Sequence, residues 1–315
     1  MNGKLKGTIC GIVAAISYGT NPLGALSLYA DGLNAVSVLF YRYGLATVLL
    51  GLIMLAERKS FSLTRHETGI IAVLGVLFAS SSLCLYMSFN FMDAGIASTI
   101  LFVYPVMVAV IMAVMFKERV TVATCLSIVL ALVGIALLYK GGDGVTLSTV
   151  GVLLVLGSSL TYAVYIVVVN KSSLRMSSVK LTFYVLLVGT LCIVLQSLAG
   201  EAYRLQLLTT PRQWMYAWML AVLPTVLSLV LMVIAVHHVG STPTAIMGAL
   251  EPVTAVIIGV TVFGEMFTPR LAVGITLILC AVLLIIAGKS VSVNRITRVV
   301  GLLGHVLQKT WRWKS

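Results

Sequence analysis

The sequence predicts an all-α, polytopic membrane protein whose ten transmembrane helices form two inverted five-helix repeats. Three observations carry that prediction. Of the 315 residues, 60% are hydrophobic and 10% charged, with a mean hydropathy of +1.11, against about 45–50% and about 25% in soluble domains. So few charges could not cover a soluble domain of this size, which excludes a soluble enzyme and a disordered chain. Apolar runs of spanning length, roughly 20 residues, follow one another along the whole chain. Two of these runs match each other at an offset of 147 residues.

The runs lie at about 7–29, 34–56, 68–91, 94–116 and 121–139, then at about 149–170, 179–199, 214–237, 241–263 and 270–288. A segment in hydrocarbon satisfies its backbone internally, so each reads as a helix. Strands of a β-barrel would alternate apolar and polar residues, and these do not. The connections Asp31-Gly32, Asp93-Ala94-Gly95 and Val239-Gly240 leave almost no chain between spans, so consecutive helices are antiparallel neighbours. Lys4 and Lys6 precede an apolar run too long for the core of a cleavable signal. The five cysteines all fall inside apolar stretches, with no metal-binding spacing.

Orientation follows from the basic residues. With the N-terminus in the cytoplasm, sixteen of them lie on the cytoplasmic side, and Lys140, Arg204, Arg212 and Arg270 lie opposite. Both termini are then cytoplasmic, and the chain sits in the cytoplasmic (inner) membrane. The formal charge of +12 flanks spans rather than forming a nucleic-acid surface, so no nucleic-acid partner is expected. After Lys289 the tail carries Arg295, Arg298, Lys309, Arg312 and Lys314 beside Trp311 and Trp313. It reads as a basic amphipathic helix on anionic membrane lipid. The expected divisions are 1–143 and 144–289 for the two repeats and 290–315 for the tail.

Aligning 97–119 with 244–266 matches Pro105 to Pro252, Val106 to Val253, Ile111 to Ile258, Phe116 to Phe263 and Glu118 to Glu265. Ser17-Tyr18-Gly19 likewise meets Thr161-Tyr162-Ala163 at an offset of 144. Each half therefore holds five spans, and the odd number inverts the second copy. Inverted repeats are typical of secondary transporters, with the solute site near the midplane between them.

The two copies, Tyr104-Pro105…Phe116-Lys117-Glu118-Arg119 and Glu251-Pro252…Phe263-Gly264-Glu265, resemble the paired EamA domains of the drug/metabolite transporter superfamily. Phe40-Tyr41-Arg42-Tyr43 in the second span is also similar. The resemblance implies a carrier that moves small organic solutes, amino acids or other metabolites among them, often outward and by alternating access. Where such sequences often carry Trp near Tyr18 and Tyr162, this chain has Tyr.

Arg42 lies about eight residues into its span, roughly 12 Å deep at ~1.5 Å per residue, and Glu251 about ten residues, roughly 15 Å deep. Ionisable groups at such depth cost several kcal/mol unless paired or hydrated. They are expected to face one cavity, where they pair or bind a zwitterionic or anionic solute. The alternative is an ion pair that only holds helices together. Glu251 is a candidate proton-coupling group, since its counterpart Tyr104 does not ionise near neutral pH. Tyr18, Tyr86, Tyr104, Tyr162 and Asn90 are further candidates for the cavity wall. Asn21, beside Pro22, is expected to satisfy freed backbone or touch solute.

Pro22, Pro105, Pro224 and Pro252 fall inside spans as expected kinks. Glu118 and Glu265 are expected to be structural, at opposite membrane boundaries. His237 and His238 could serve a gate or proton relay. Ala79-Ser80-Ser81-Ser82 and Gly157-Ser158-Ser159 are read as helix-packing surfaces. There is no P-loop, no HExxH and no cofactor motif, so no metal, cofactor or covalent catalysis is expected. The expected partners are a small-molecule solute, protons as a candidate driver and membrane lipid. A channel, a scaffold or an intramembrane enzyme are the rival classes, and oligomeric state stays open.

Overall fold

The computed structural model describes residues 3–117, 121–139, 147–172, 174 and 176–290. Among these all regular structure is helical. Among the described residues nine helical segments are long and apolar enough to cross a membrane, and Val122–Leu138 is a shorter apolar helix between them. The proposed tail helix and Glu118 lie outside the described residues.

The first half comprises α1 (Gly3–Gly19), α2 (Asn21–Ala30), α3 (Ala35–Ala56), α4 (Arg65–Ser88), α5 (Ala94–Leu101), α6 (Tyr104–Phe116) and α7 (Val122–Tyr139). The second comprises α8 (Thr149–Lys171), α9 (Ser178–Ser197), α10 (Pro211–Ala221), α11 (Ser228–Val239), α12 (Ser241–Met247), α13 (Leu250–Phe263) and α14 (Pro269–Ser290). Helix starts have local causes. The Asn34 side chain accepts from the Ser37 N–H at 2.8 Å. Thr64 with Glu67, and Thr210 with Gln213, form capping boxes.

Four spans are interrupted rather than smoothly kinked. The fourth breaks between α5 and α6, and the ninth between α12 and α13, at corresponding positions of the two halves. Pro105 and Pro252 each stand in the first turn after the break, where a missing N–H leaves no intrahelical bond unmade. The eighth carries a π-helical segment, Val222–Leu227, around Pro224. Pro22 similarly opens α2 after a step at Thr20, whose hydroxyl donates to the Ser17 carbonyl at 2.6 Å.

The packing is pseudo-two-fold. Counted as spans, the first packs on the eighth (α1 on α11) and the third on the sixth (α4 on α8). These two contacts exchange when each span is replaced by its counterpart five places on. Three further pairs, α3 with α9, α5 with α13 and α7 with α14, each join a span to its own counterpart. With five spans per half, the relating axis lies in the membrane plane. Leu52, Leu55, Leu153, Leu191 and Leu195 point outward toward lipid, and Trp214 stands half-exposed near the start of α10, as membrane-interface anchors do.

Candidate functional site

A cavity of about 270 Å³ lies between the halves at mid-depth. Tyr18 of α1, Arg42 of α3, Tyr104 of α6, Tyr162 and Tyr165 of α8, and Glu251 of α13 line it. It extends along Thr182 to Ser178, the first residue of α9, and past Met232 and Val233 of α11. Ser178 stands at the end of the bundle where α1 begins, and Met232 and Val233 lie part-way along α11. The structure thus brings Arg42 and Glu251, remote in sequence, to one hollow that reaches toward the terminus-side face.

Arg42 is 3% exposed and held by a directed set of bonds. Its Nε donates to Thr225 Oγ1 and its Nη1 to the Tyr86 hydroxyl, each at 3.0 Å. Tyr86 in turn donates to Asn21 Oδ1 at 3.1 Å. Thr225 donates to the Leu220 carbonyl at 2.9 Å, the carbonyl that Pro224 cannot engage four residues on. The proline therefore creates the polar site that the threonine fills, and the threonine passes an acceptor to the arginine. The rings of Tyr18, Tyr43 and Tyr86 stand 6.0, 5.9 and 5.7 Å from the guanidinium carbon, within cation–π range.

Glu251 stands differently. Among the described residues no ion pair within 4.0 Å joins it to Arg42, and none of the hydrogen bonds reaches its carboxylate. The close approach of α1 that seats Tyr18 beside it depends on Gly19, where a Cβ would stand 2.7 Å from the Glu251 carbonyl oxygen.

Phe78 and three tyrosines build one wall. Tyr104 and Tyr162 meet edge to face at 4.7 Å, Tyr162 stacks on Tyr165 at 5.6 Å, and Phe78 lies 5.5 Å from Tyr165.

The two broken spans are not treated alike. Pro105 frees the Leu101 carbonyl, and the Ser159 hydroxyl takes it at 3.1 Å. The matching carbonyl in the second half is that of Gly248, and the counterpart of Ser159 is Ala15, which has no hydroxyl. Gly248 accepts from the Glu251 N–H at 3.0 Å and, with Ala15, lines the cavity.

Several expectations need correction. Asn90 is exposed beyond the end of α4, bonded to the Met87 carbonyl, and is not at the cavity. Tyr86 and Asn21 are buried behind Arg42 rather than on the wall, and Asn21 serves the Tyr86 hydroxyl rather than freed backbone. His237 and His238 are exposed at the end of α11, away from the hollow. Ser81 and Ser158 bond across to each other's carbonyls, at 2.9 and 2.7 Å, joining α4 to α8. Sequence reasoning missed Thr225, Phe78 and Tyr165. Only Thr225 carried a signal, its place next to Pro224.

Opposite the opening, the far face is closed by side-chain bonds to backbone. The Asn34 N–H donates to Gln206 Oε1 at 2.6 Å, and Gln206 Nε2 donates to the Gly32 carbonyl at 3.1 Å. The Gln206 N–H donates to Ser37 Oγ at 2.8 Å. Asn34 Nδ2 reaches the carbonyls of Ala202 and Arg204. On the same face Glu265, in the loop before α14, accepts from the Ala94 and Gly95 N–H groups at 2.7 and 3.1 Å. It thereby caps α5, the half-helix whose other end leads to Tyr104. The carboxylate fits against Gly95 and Gly259, since a Cβ on either would collide with it. Burial, with the negative charge of Asp93 nearby, pushes the Glu265 carboxyl up to about 7, against the pull of the two N–H groups. Burial also raises the Asp93 carboxyl.

A ten-helix frame of two inverted halves around a polar midplane hollow defines a membrane transporter. The chain belongs to the EamA-like transporter family, whose profile matches residues 5–140 and again 149–287. It is 28% identical over 192 residues to an uncharacterized transporter of Archaeoglobus fulgidus, covering 61% of this chain and 67% of that protein. To the uncharacterized transporter YvbV of Bacillus subtilis it is 28% identical over 114 residues, covering 36% of this chain and 37% of that one. A third uncharacterized transporter, from Synechocystis, is 25% identical over 215 residues, covering 64% and 61%. A solved crystal structure shares the fold at a TM-score of 0.64, with 14% identity, over 88% of this chain and 95% of its own.

Proposed function

We propose that the protein is a secondary transporter that exports small organic solutes, such as amino acids and related metabolites, across the cytoplasmic membrane by alternating access. Residues 1–143 and 144–289 act as the two moving halves, with both termini in the cytoplasm. The observation that supports this most is the hollow between the halves that holds Arg42 and Glu251, which reaches toward one face while hydrogen bonds close the other. Arg42, Glu251, Tyr18, Tyr104 and Tyr162 form the solute site, with Asn21 behind Arg42 as its support. The steps at Pro22, Pro105, Pro224 and Pro252 serve as the flexing points, and Glu265 ties loop to half-helix.

Transport is driven by the solute gradient, by exchange or by protons, and Glu251 is the proton-exchanging group in the last case. Counterflow of labelled amino acids and amines in proteoliposomes tests the reading. Accumulation against preloaded solute is expected, and leakage without counterflow would mark a channel instead. The Glu251→Gln variant is expected to lose the pH dependence of transport, and full retention of that dependence would remove the proton role.

A further inference from the structure

Within the transport reading, on which this rests, we propose that the cavity recognises its solute by a positively charged amine, with Glu251 as the counter-ion and the Phe78–Tyr104–Tyr162–Tyr165 wall as the apolar seat. Net-cationic organic amines are then preferred over zwitterions of the same body, and zwitterions over carboxylates.

Arg42 and Glu251 are the only charged residues lining the cavity among those described. They are not equally available. Thr225 and Tyr86 take two of the five guanidinium N–H donors, three tyrosine rings surround the group, and the residue is almost wholly buried. A solute carboxylate would meet only the remaining Nη N–H groups of a side chain held in place through Asn21 and the Leu220 carbonyl. Glu251 carries no such set. Its carboxylate is open to the hollow, and an incoming N–H donor breaks no protein bond there.

Acceptors around Glu251 extend the case. The Gly248 carbonyl, one turn before it, keeps a lone pair because Ala15 stands where the other half has a hydroxyl. The hydroxyls of Tyr104, Tyr162 and Tyr165 have no hydrogen-bond partner among the described residues. An ammonium group has three donors and no acceptor, so it matches carboxylate, carbonyl and phenolic oxygens together. The ring faces that line the rest of the hollow attract cations and offer nothing to an anion. A carboxylate placed among them would exchange its water for the phenolic O–H donors alone and would face the Glu251 carboxylate as a like charge. The volume, about 270 Å³, is just below the ~300–1,000 Å³ usual for small-molecule sites, which suits one ring or a short branched chain beside the amine.

The test uses three probes with one body and different charge: phenethylamine, phenylalanine and 3-phenylpropionate, each titrated by calorimetry into the purified full-length protein. The amine is expected to bind at least tenfold tighter than phenylalanine, with the acid weakest. The isosteric Glu251→Gln variant is expected to weaken amine binding tenfold or more. Tyr162→Leu, at the wall rather than the charge, is expected to weaken the amine more than the acid. Tighter binding of the zwitterion or the acid, absence of amine binding, or unchanged amine affinity in Glu251→Gln would each overturn the proposal. Counterflow of the same probes separates the two readings. Phenylalanine counterflow without amine binding removes the amine preference and keeps the transporter. Amine binding without counterflow of the bound amine removes the transporter and keeps the preference.

Discussion

Arg42 shows how one buried charge is made tolerable. A guanidinium at this depth is costly alone, and here two hydrogen bonds and three ring faces replace its water. Thr225→Val removes the Nε acceptor and leaves the Leu220 carbonyl without its partner. Hydrogen bonds to charged groups contribute about 1.5–3 kcal/mol, so a loss in that range is expected from thermal unfolding in detergent, with Thr225→Ser near wild type. The presence of Arg42 and Glu251 in one hollow was legible from their depth in apolar sequence. Thr225 and Tyr86 were not, because the network joins residues 183 and 44 positions from Arg42 and no local pattern encodes a partner on another span. Asn90 was misplaced because a polar residue near a span end looks the same whether it faces a cavity or the boundary.

At the scale of elements, the paired prolines predicted kinks in matching spans, and the structure makes each a fresh helix start instead. What the sequence could not reveal is how the broken ends are satisfied. Ser159 closes one by reaching across from α8 to the Leu101 carbonyl. Ser159→Ala is expected to cost about 0.5–1.5 kcal/mol in the same unfolding assay, whereas Ala15→Ser, which supplies the missing hydroxyl near Gly248, is expected to disturb the solute site and leave stability nearly unchanged.

The Glu265 cap of α5 predicts a pH effect. In the folded protein this carboxyl is pushed up from about 4.5 to about 7, so between those values the native state holds more protons than the unfolded one. The stability that protonation adds is full below about 4.5 and is lost as pH rises through about 7. The wild-type melting temperature is expected to carry this downward component across that window, and Glu265→Gln to flatten it. An unchanged profile in the variant would show that Glu265 does not titrate there. The cap itself was not legible, since Glu265 meets Ala94 and Gly95 across 170 or so residues and reads locally as an ordinary loop glutamate.

For the whole molecule, spacing and repeat were enough to foretell the inverted halves, because hydrocarbon permits so few arrangements of helices. Which face stands closed depends on Asn34, Ser37 and Gln206, ordinary polar residues whose meaning appears only when the far-face loop folds onto α3. In protein stripped of its five cysteines, spin labels at Asn34→Cys and Gln206→Cys are expected to give a short distance plus a longer component in liposomes as the far face opens. One short distance under all conditions would contradict movement of that face.

The most direct measurement of the central claim, a water-filled hollow between the halves, is the reactivity of Thr182→Cys and Ser228→Cys, two lining positions, toward a membrane-impermeant maleimide in sealed vesicles. Both are predicted to label when the reagent reaches the terminus-side face. Failure to label from either face would mean that the hollow is closed to water, and would contradict the account.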